Sequence, residues 1–65
     1  MTGYRFEIWA DSTSGLTLHV VKLTDPYGEI VGEVRSRTEE TSLKLAHELK
    51  KEDHGRYCTD HFIIG

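Results

Sequence analysis

Sixty-five residues with a formal net charge of −3 bound the chain to one domain and exclude a large core, since so short a chain hides only about 60% of its unfolded surface. Eight Lys and Arg against eleven Asp and Glu make nonspecific nucleic-acid binding a disfavoured function, because it depends on many cationic phosphate contacts. A hydrophobic content of 37% excludes a disordered polar chain.

Tyr4, Phe6, Ile8 and Ala10 alternate with Arg5, Glu7 and Trp9, the period of two that predicts a half-buried strand. Asp11-Ser12-Thr13-Ser14-Gly15 is a run of turn formers and predicts a hairpin loop. Leu16 to Leu23 is the second strand. Leu16, Leu18 and Val20 share one face and Val21 and Leu23 the other, so the phase slips at Val20-Val21. A β-bulge or burial on both sides at that point explains the slip.

Asp25-Pro26-Tyr27-Gly28 predicts a tight turn, with Asp at the first position, Pro at the second and Gly at the fourth. In the third strand Ile30 and Val34 face one way, with Gly32 between them, and Val31, Glu33 and Arg35 face the other. Gly32 inside a strand predicts close approach of a helix or another backbone. Helix onset falls between Ser36 and Thr38, with Ser36 and Glu39 as a capping box or Thr38 as the cap. Leu43, Leu45, Ala46 and Leu49 fall on one helical arc and form the core-facing stripe. Glu40 and Lys44 pair on the opposite side, and Gly55 is the expected C-cap.

Tyr57 to Ile64 reads as a last strand. The succession Phe62-Ile63-Ile64 suits a strand covered on both faces. The fold class is therefore α+β, a single domain over residues 1–65. A three-stranded antiparallel meander carries one amphipathic helix on one face and a short C-terminal strand, in the order β-β-β-α-β. The last strand sits beside the first or extends onto a partner's sheet.

The chemistry-bearing residues gather late in the chain. His47, His54, Cys58 and His61 are the residue types that hold tetrahedral zinc, with Asp53 and Asp60 able to orient the imidazoles. His54, Cys58 and His61 are the candidate metal set. Their spacing lacks a Cys-x-x-Cys knuckle, and in a strand Cys58 and His61 point to opposite faces. The alternative is surface histidines and a small packed cysteine. His47-Glu48 is not a metalloprotease motif, because position 51 is Lys where a second His is required. Cys58 with His54 or His61 as base is the one nucleophilic arrangement available. Nothing in the sequence supplies an oxyanion hole or a cleft, so the chain is read as non-enzymatic, with no cofactor unless zinc.

Arg5, Glu7 and Trp9 lie opposite the Tyr4/Phe6/Ile8 stripe, and one helix covers only one side of a sheet. With Val31, Glu33 and Arg35 they form the candidate interaction surface, which Val21 and Leu23 extend. A tryptophan exposed among charges is enriched at interfaces. Its alternative is a Trp tucked under the first loop. Arg35 and Arg37 could grip a phosphate at the helix N-terminus, or act as solvated rim charges beside Glu39 and Glu40.

Phe6-Glu7-Ile8, the turn Asp11 to Gly15, the strand Leu18 to Leu23, Gly28-Glu29-Ile30-Val31 and a helix opened by Ser/Thr together resemble the YegP-like family over residues 4–50. These are small bacterial and archaeal β-β-β-α proteins of unknown function. The resemblance implies the fold and a homodimer, and no reaction. A second likeness is to the arm-binding domains of tyrosine-recombinase integrases, whose three-stranded sheet enters the DNA major groove. It implies a nucleic-acid-binding alternative, although the charges on the corresponding face nearly cancel here.

The leading expectation is a protein-interaction or regulatory module, self-associating or binding a protein partner, through the uncovered sheet face or an edge strand. Size and acidity also fit a phage- or plasmid-borne inhibitor of a host protein. The start Met1 to Arg5 has no basic region followed by an apolar run, so no signal peptide is read. No apolar stretch approaches the roughly 20 residues of a membrane span, and no membrane partner is expected. With Cys58 the only cysteine, a reducing, cytoplasmic location is expected.

Overall fold

The computed structural model describes residues 3–65; Met1 and Thr2, part of the stretch read for a leader, lie outside the described residues. The elements are β1 (Gly3–Thr13), β2 (Leu16–Thr24), β3 (Ile30–Ser36), α1 (Glu39–Glu52) and β4 (Thr59–Ile64). They form one four-stranded sheet in the order β3-β2-β1-β4. β1–β2 and β2–β3 are antiparallel and β4 runs parallel to β1. The meander, the helix and the C-terminal strand are thus as expected, and the last strand takes the place beside the first.

The first hairpin is longer than its composition suggests. β1 pairs with β2 without interruption from Arg5↔Thr24 to Thr13↔Leu16, so Asp11, Ser12 and Thr13 belong to the strand and not to a loop. Only Ser14 and Gly15 turn, with φ of 54° and 79°. Positive φ at both central residues is the type I′ geometry whose twist matches the flanking strands. The continuous register also removes a bulge at Val20-Val21. Both residues are fully buried, so β2 is covered on both sides there.

A bulge occurs in β3 instead. Leu23 pairs with Gly32 and Thr24 with Ile30, which leaves Val31 as an extra residue. One inserted residue shifts the side-chain phase. Val31 therefore packs, partly buried, against the core cluster, while Ile30 is exposed. This corrects the assignment of Val31 to the open face. Val21 and Leu23 also belong to the core, with Tyr4, Phe6, Ile8 and Ala46.

The turn into β3 is built as predicted. Gly28 N–H donates to Asp25 O at 3.0 Å. Asp25 Oδ1 accepts from the N–H groups of Tyr27 and Glu29 at 2.9 and 2.8 Å. The side chain thereby fixes two turn amides that water would otherwise hold.

Thr38 caps α1, accepting from Thr41 N–H at 3.2 Å, with Glu39 and Glu40 in the first turn. The capping box on Ser36 does not form, because Ser36 is the last residue of β3. The helix lies over β2 and β3. Its buried residues are Ser42, Ala46 and Lys50, with Leu43 and Leu49 partly buried beside them. Leu45 is 43% exposed, so it lies outside the core-facing stripe. The small side chains allow close approach. Ser42 Oγ donates to His19 O at 2.6 Å, and a Cβ on Gly32 would stand 3.0 Å from Leu49 Cδ1.

The helix ends in a Schellman motif. Gly55 N–H donates to Lys50 O at 2.8 Å and His54 N–H to Lys51 O at 3.1 Å. The left-handed residue is His54, φ 63°, and not Gly55. Gly55 is needed for another reason: a Cβ there would lie 2.6 Å from Tyr4 Cζ and 2.8 Å from Lys50 Cγ. The strand expected from Tyr57 begins at Thr59, after a turn closed by Cys58 N–H to Gly55 O at 3.0 Å. No helix among the described residues is long and apolar enough to cross a membrane.

Candidate functional site

Three regions follow from this frame: the open sheet face, the polar cluster where α1 ends, and the outer edge of β4.

The open face is formed by alternate residues of each strand. Across the sheet, Trp9, Val20 and Arg35 make one row, and Ile63, Glu7, Lys22 and Glu33 the next. Two of its cations lie beside carboxylates. Arg35 donates to Glu33 at 2.7 Å, and Arg5 lies 3.6 Å from Glu7. Val20, paired with Trp9 and Arg35 in the ladder, is fully buried although α1 lies on the other side of the sheet. Trp9 is partly buried opposite Val20 and is not the freely exposed ring expected. Lys22 stands between Glu7 and Glu33 across the ladder.

At the other end of the core, Lys50 is buried with its Nζ donating to Cys58 O at 2.7 Å and to Asp60 Oδ1. The ammonium stands 5.9 Å from the centre of the Tyr4 ring. Tyr4 OH donates to Asp53 Oδ2 at 2.7 Å and lies 3.0 Å from Asp53 O. Burial, and then the hydrogen bond to Asp53, push the Tyr4 phenol well above its ordinary value. His47 Nδ1 reaches 4.0 Å from Asp60 Oδ2. Two long side chains thus tie the end of α1 to the starts of β1 and β4.

The expected metal set is not brought together. Cys58 packs against the core cluster. His61 lies on the opposite side of β4, where a Cβ on Gly3 would come 2.8 Å from its Cδ2. His54 occupies the exposed helix end. Among the described residues no group of three or more His, Cys, Asp or Glu side chains could hold a metal ion, and no pocket is present. The same separation of faces deprives Cys58 of His61 as a base.

The β4 edge is different in kind. It ends the sheet, and Phe62, Ile63 and Ile64 are exposed by 51%, 46% and 79%. Phe62 stacks on Phe6 at 5.1 Å between ring centroids, with His47 4.8 Å from Phe6. Because α1 lies over β2 and β3, the helix side of β4 is covered only in part, by Lys50 at Asp60 and by Phe6 and His47 beside Phe62. The strand expected to be covered on both faces is therefore exposed on both. The sequence carries a signal for this: the last three strand residues are apolar, with no Lys, Pro or bulge of the kind that blunts an edge. At the opposite edge, β3 has the bulge at Val31 and the charged Glu33 and Arg35.

Comparison with protein-family models, with curated proteins and with solved structures gives no match in any of the three. The likeness to the YegP-like family therefore rests on the sequence residues alone.

Proposed function

We propose that the chain is a non-enzymatic, cytoplasmic protein-interaction module that works by adding a partner's strand to β4. The observation that carries this reading is the unpaired, unblunted edge bearing Phe62, Ile63 and Ile64 exposed on both faces. Edge addition draws affinity from main-chain hydrogen bonds and specificity from alternate side chains, and β4 supplies both. The open face is the weaker candidate, since Arg5, Glu7, Glu33 and Arg35 already pair with one another. The lone thiol, Cys58, suits a reducing compartment.

Amide hydrogen exchange tests the reading. Residues of β4 alternate in the direction of their backbone groups. Gly65 N–H donates to Ile8 O at 3.0 Å, so in the parallel ladder the N–H groups of Phe62 and Ile64 face away from β1. These two amides should exchange freely in dilute protein. They should become protected in concentrated protein or in a lysate of the native host. Free exchange under every condition, with spectral shifts at Trp9, Lys22 and Arg35 instead, overturns the proposal in favour of the open face.

A further inference from the structure

We infer that the partner of the β4 edge is a second copy of this chain, paired antiparallel about a two-fold axis at Ile63. The inference rests on the edge reading above and names its occupant and register.

The phase of the ladder limits the choices. Phe62 and Ile64 direct both N–H and C=O outward, as does Asp60. In a parallel pair each outward residue bonds to the two that flank its opposite number. Two identical strands must then be offset by one residue, which breaks two-fold equivalence. An antiparallel pair has no such conflict and closes as an isologous dimer.

Among antiparallel registers, the side chains decide. Centred on Phe62, the pair opposes Ile64 to Asp60 of the second copy. Centred on His61, it opposes Phe62 to that Asp60. Asp60 already serves the buried Lys50, and an apolar neighbour across the edge would strip water from its other oxygen. Centred on Ile63, each strand sets Phe62 opposite Ile64 on the helix side and Ile63 opposite Ile63 on the open side. Every exposed apolar residue of the edge then meets an apolar residue, and Asp60 stays outside the pairing.

A second copy also continues the core. The rows Gly32–Leu23–Phe6–Phe62 and Val34–Val21–Ile8–Ile64 run across the helix side of the sheet and stop at the edge. The same rows in reverse begin on the second copy. The bulged and charged β3 edge discourages head-to-tail addition, so pairing ends at two chains. A six-residue strand covers less than the roughly 800 Å² per partner of a standard interface, so the dimer is reversible and depends on concentration.

Cysteine cross-linking tests occupant and register together. In a Cys58→Ser background, Ile63→Cys places two thiols in a non-hydrogen-bonded pair with Cα atoms about 4.5 Å apart, within reach of a disulfide. Mild oxidation of concentrated protein should yield a cross-linked dimer from Ile63→Cys and none from His61→Cys. Intermolecular NOEs between Ile63 methyls in a mixed-label sample of the natural chain should agree. Cross-linking at His61→Cys instead of Ile63→Cys overturns the register. No cross-link and no NOE, with Phe62 and Ile64 amides protected only in lysate, overturns the second copy and leaves the edge reading standing. Amides unprotected everywhere remove the edge reading itself.

Discussion

Tyr4 and Lys50 bring polar atoms into a core too small to hide many. Each is buried, and each is satisfied by a residue distant in sequence: Asp53 for the phenol, Cys58 and Asp60 for the ammonium. Tyr4 makes the stability of the fold depend on alkaline pH. Its folded value lies above the ordinary value of about 10. Below pH 10 the phenol is neutral in both states and its contribution is complete. As pH rises past 10 the unfolded chain ionises while the folded one holds its proton, so this group makes stability fall as pH rises. Tyr4→Phe removes that dependence and loses a hydrogen bond of about 1 kcal/mol. Urea midpoints at pH 8 and pH 11 should show the natural chain ahead at pH 8 and the difference narrowed or reversed at pH 11. A constant difference contradicts the buried neutral phenol. Little of this cluster was legible in sequence. Lys50 is polar and so drops out of any apolar stripe, and its partners come from a turn whose path the pattern does not encode. Gly55 was marked as special, but for the helix cap; the close ring of Tyr4 is a tertiary fact, and the left-handed residue is His54.

Elements that rest on local chemistry were the most legible. The Asp25 turn, the Thr38 cap and Gly32 against the helix follow from residue types at fixed offsets. Periodicity failed where burial is not one-sided. Past Trp9 the hairpin is exposed on both faces, so Asp11 to Thr13 carry no alternation and read as loop. At Val20-Val21 both faces are covered, so alternation again disappears. In β3 the extra residue reversed the assignments of Ile30 and Val31. The hairpin is held in register by its two-residue turn, where Ser14 occupies positive φ without being glycine. Ser14→Asn should raise stability by about 0.5 kcal/mol, and Ser14→Val should lower it by about 1–2 kcal/mol, since β-branched residues resist the left-handed region. Thermal unfolding of the two variants checks this; equal midpoints contradict a type I′ turn at Ser14-Gly15.

For the whole molecule, the decisive feature is the lateral position of α1 over β2 and β3. It leaves β4 paired with β1 along one edge and anchored to α1 through Lys50 and Asp60, with its outer edge unpaired. The sequence pointed to a strand here and to an edge or sheet face as the binding surface. It could not tell which, because coverage depends on where the helix settles and not on its stripe. On the open face, also expected to carry an interface, Arg5 lies beside Glu7, Arg35 pairs with Glu33 and Trp9 is partly buried. Sedimentation equilibrium over a wide concentration range is the direct test, on the natural chain, on Ile63→Lys and on Arg35→Ala. The natural chain and Arg35→Ala should rise together from the mass of one chain toward that of two, while Ile63→Lys should stay at one throughout. Association of Ile63→Lys at the natural strength, or its loss in Arg35→Ala, would contradict assembly through β4.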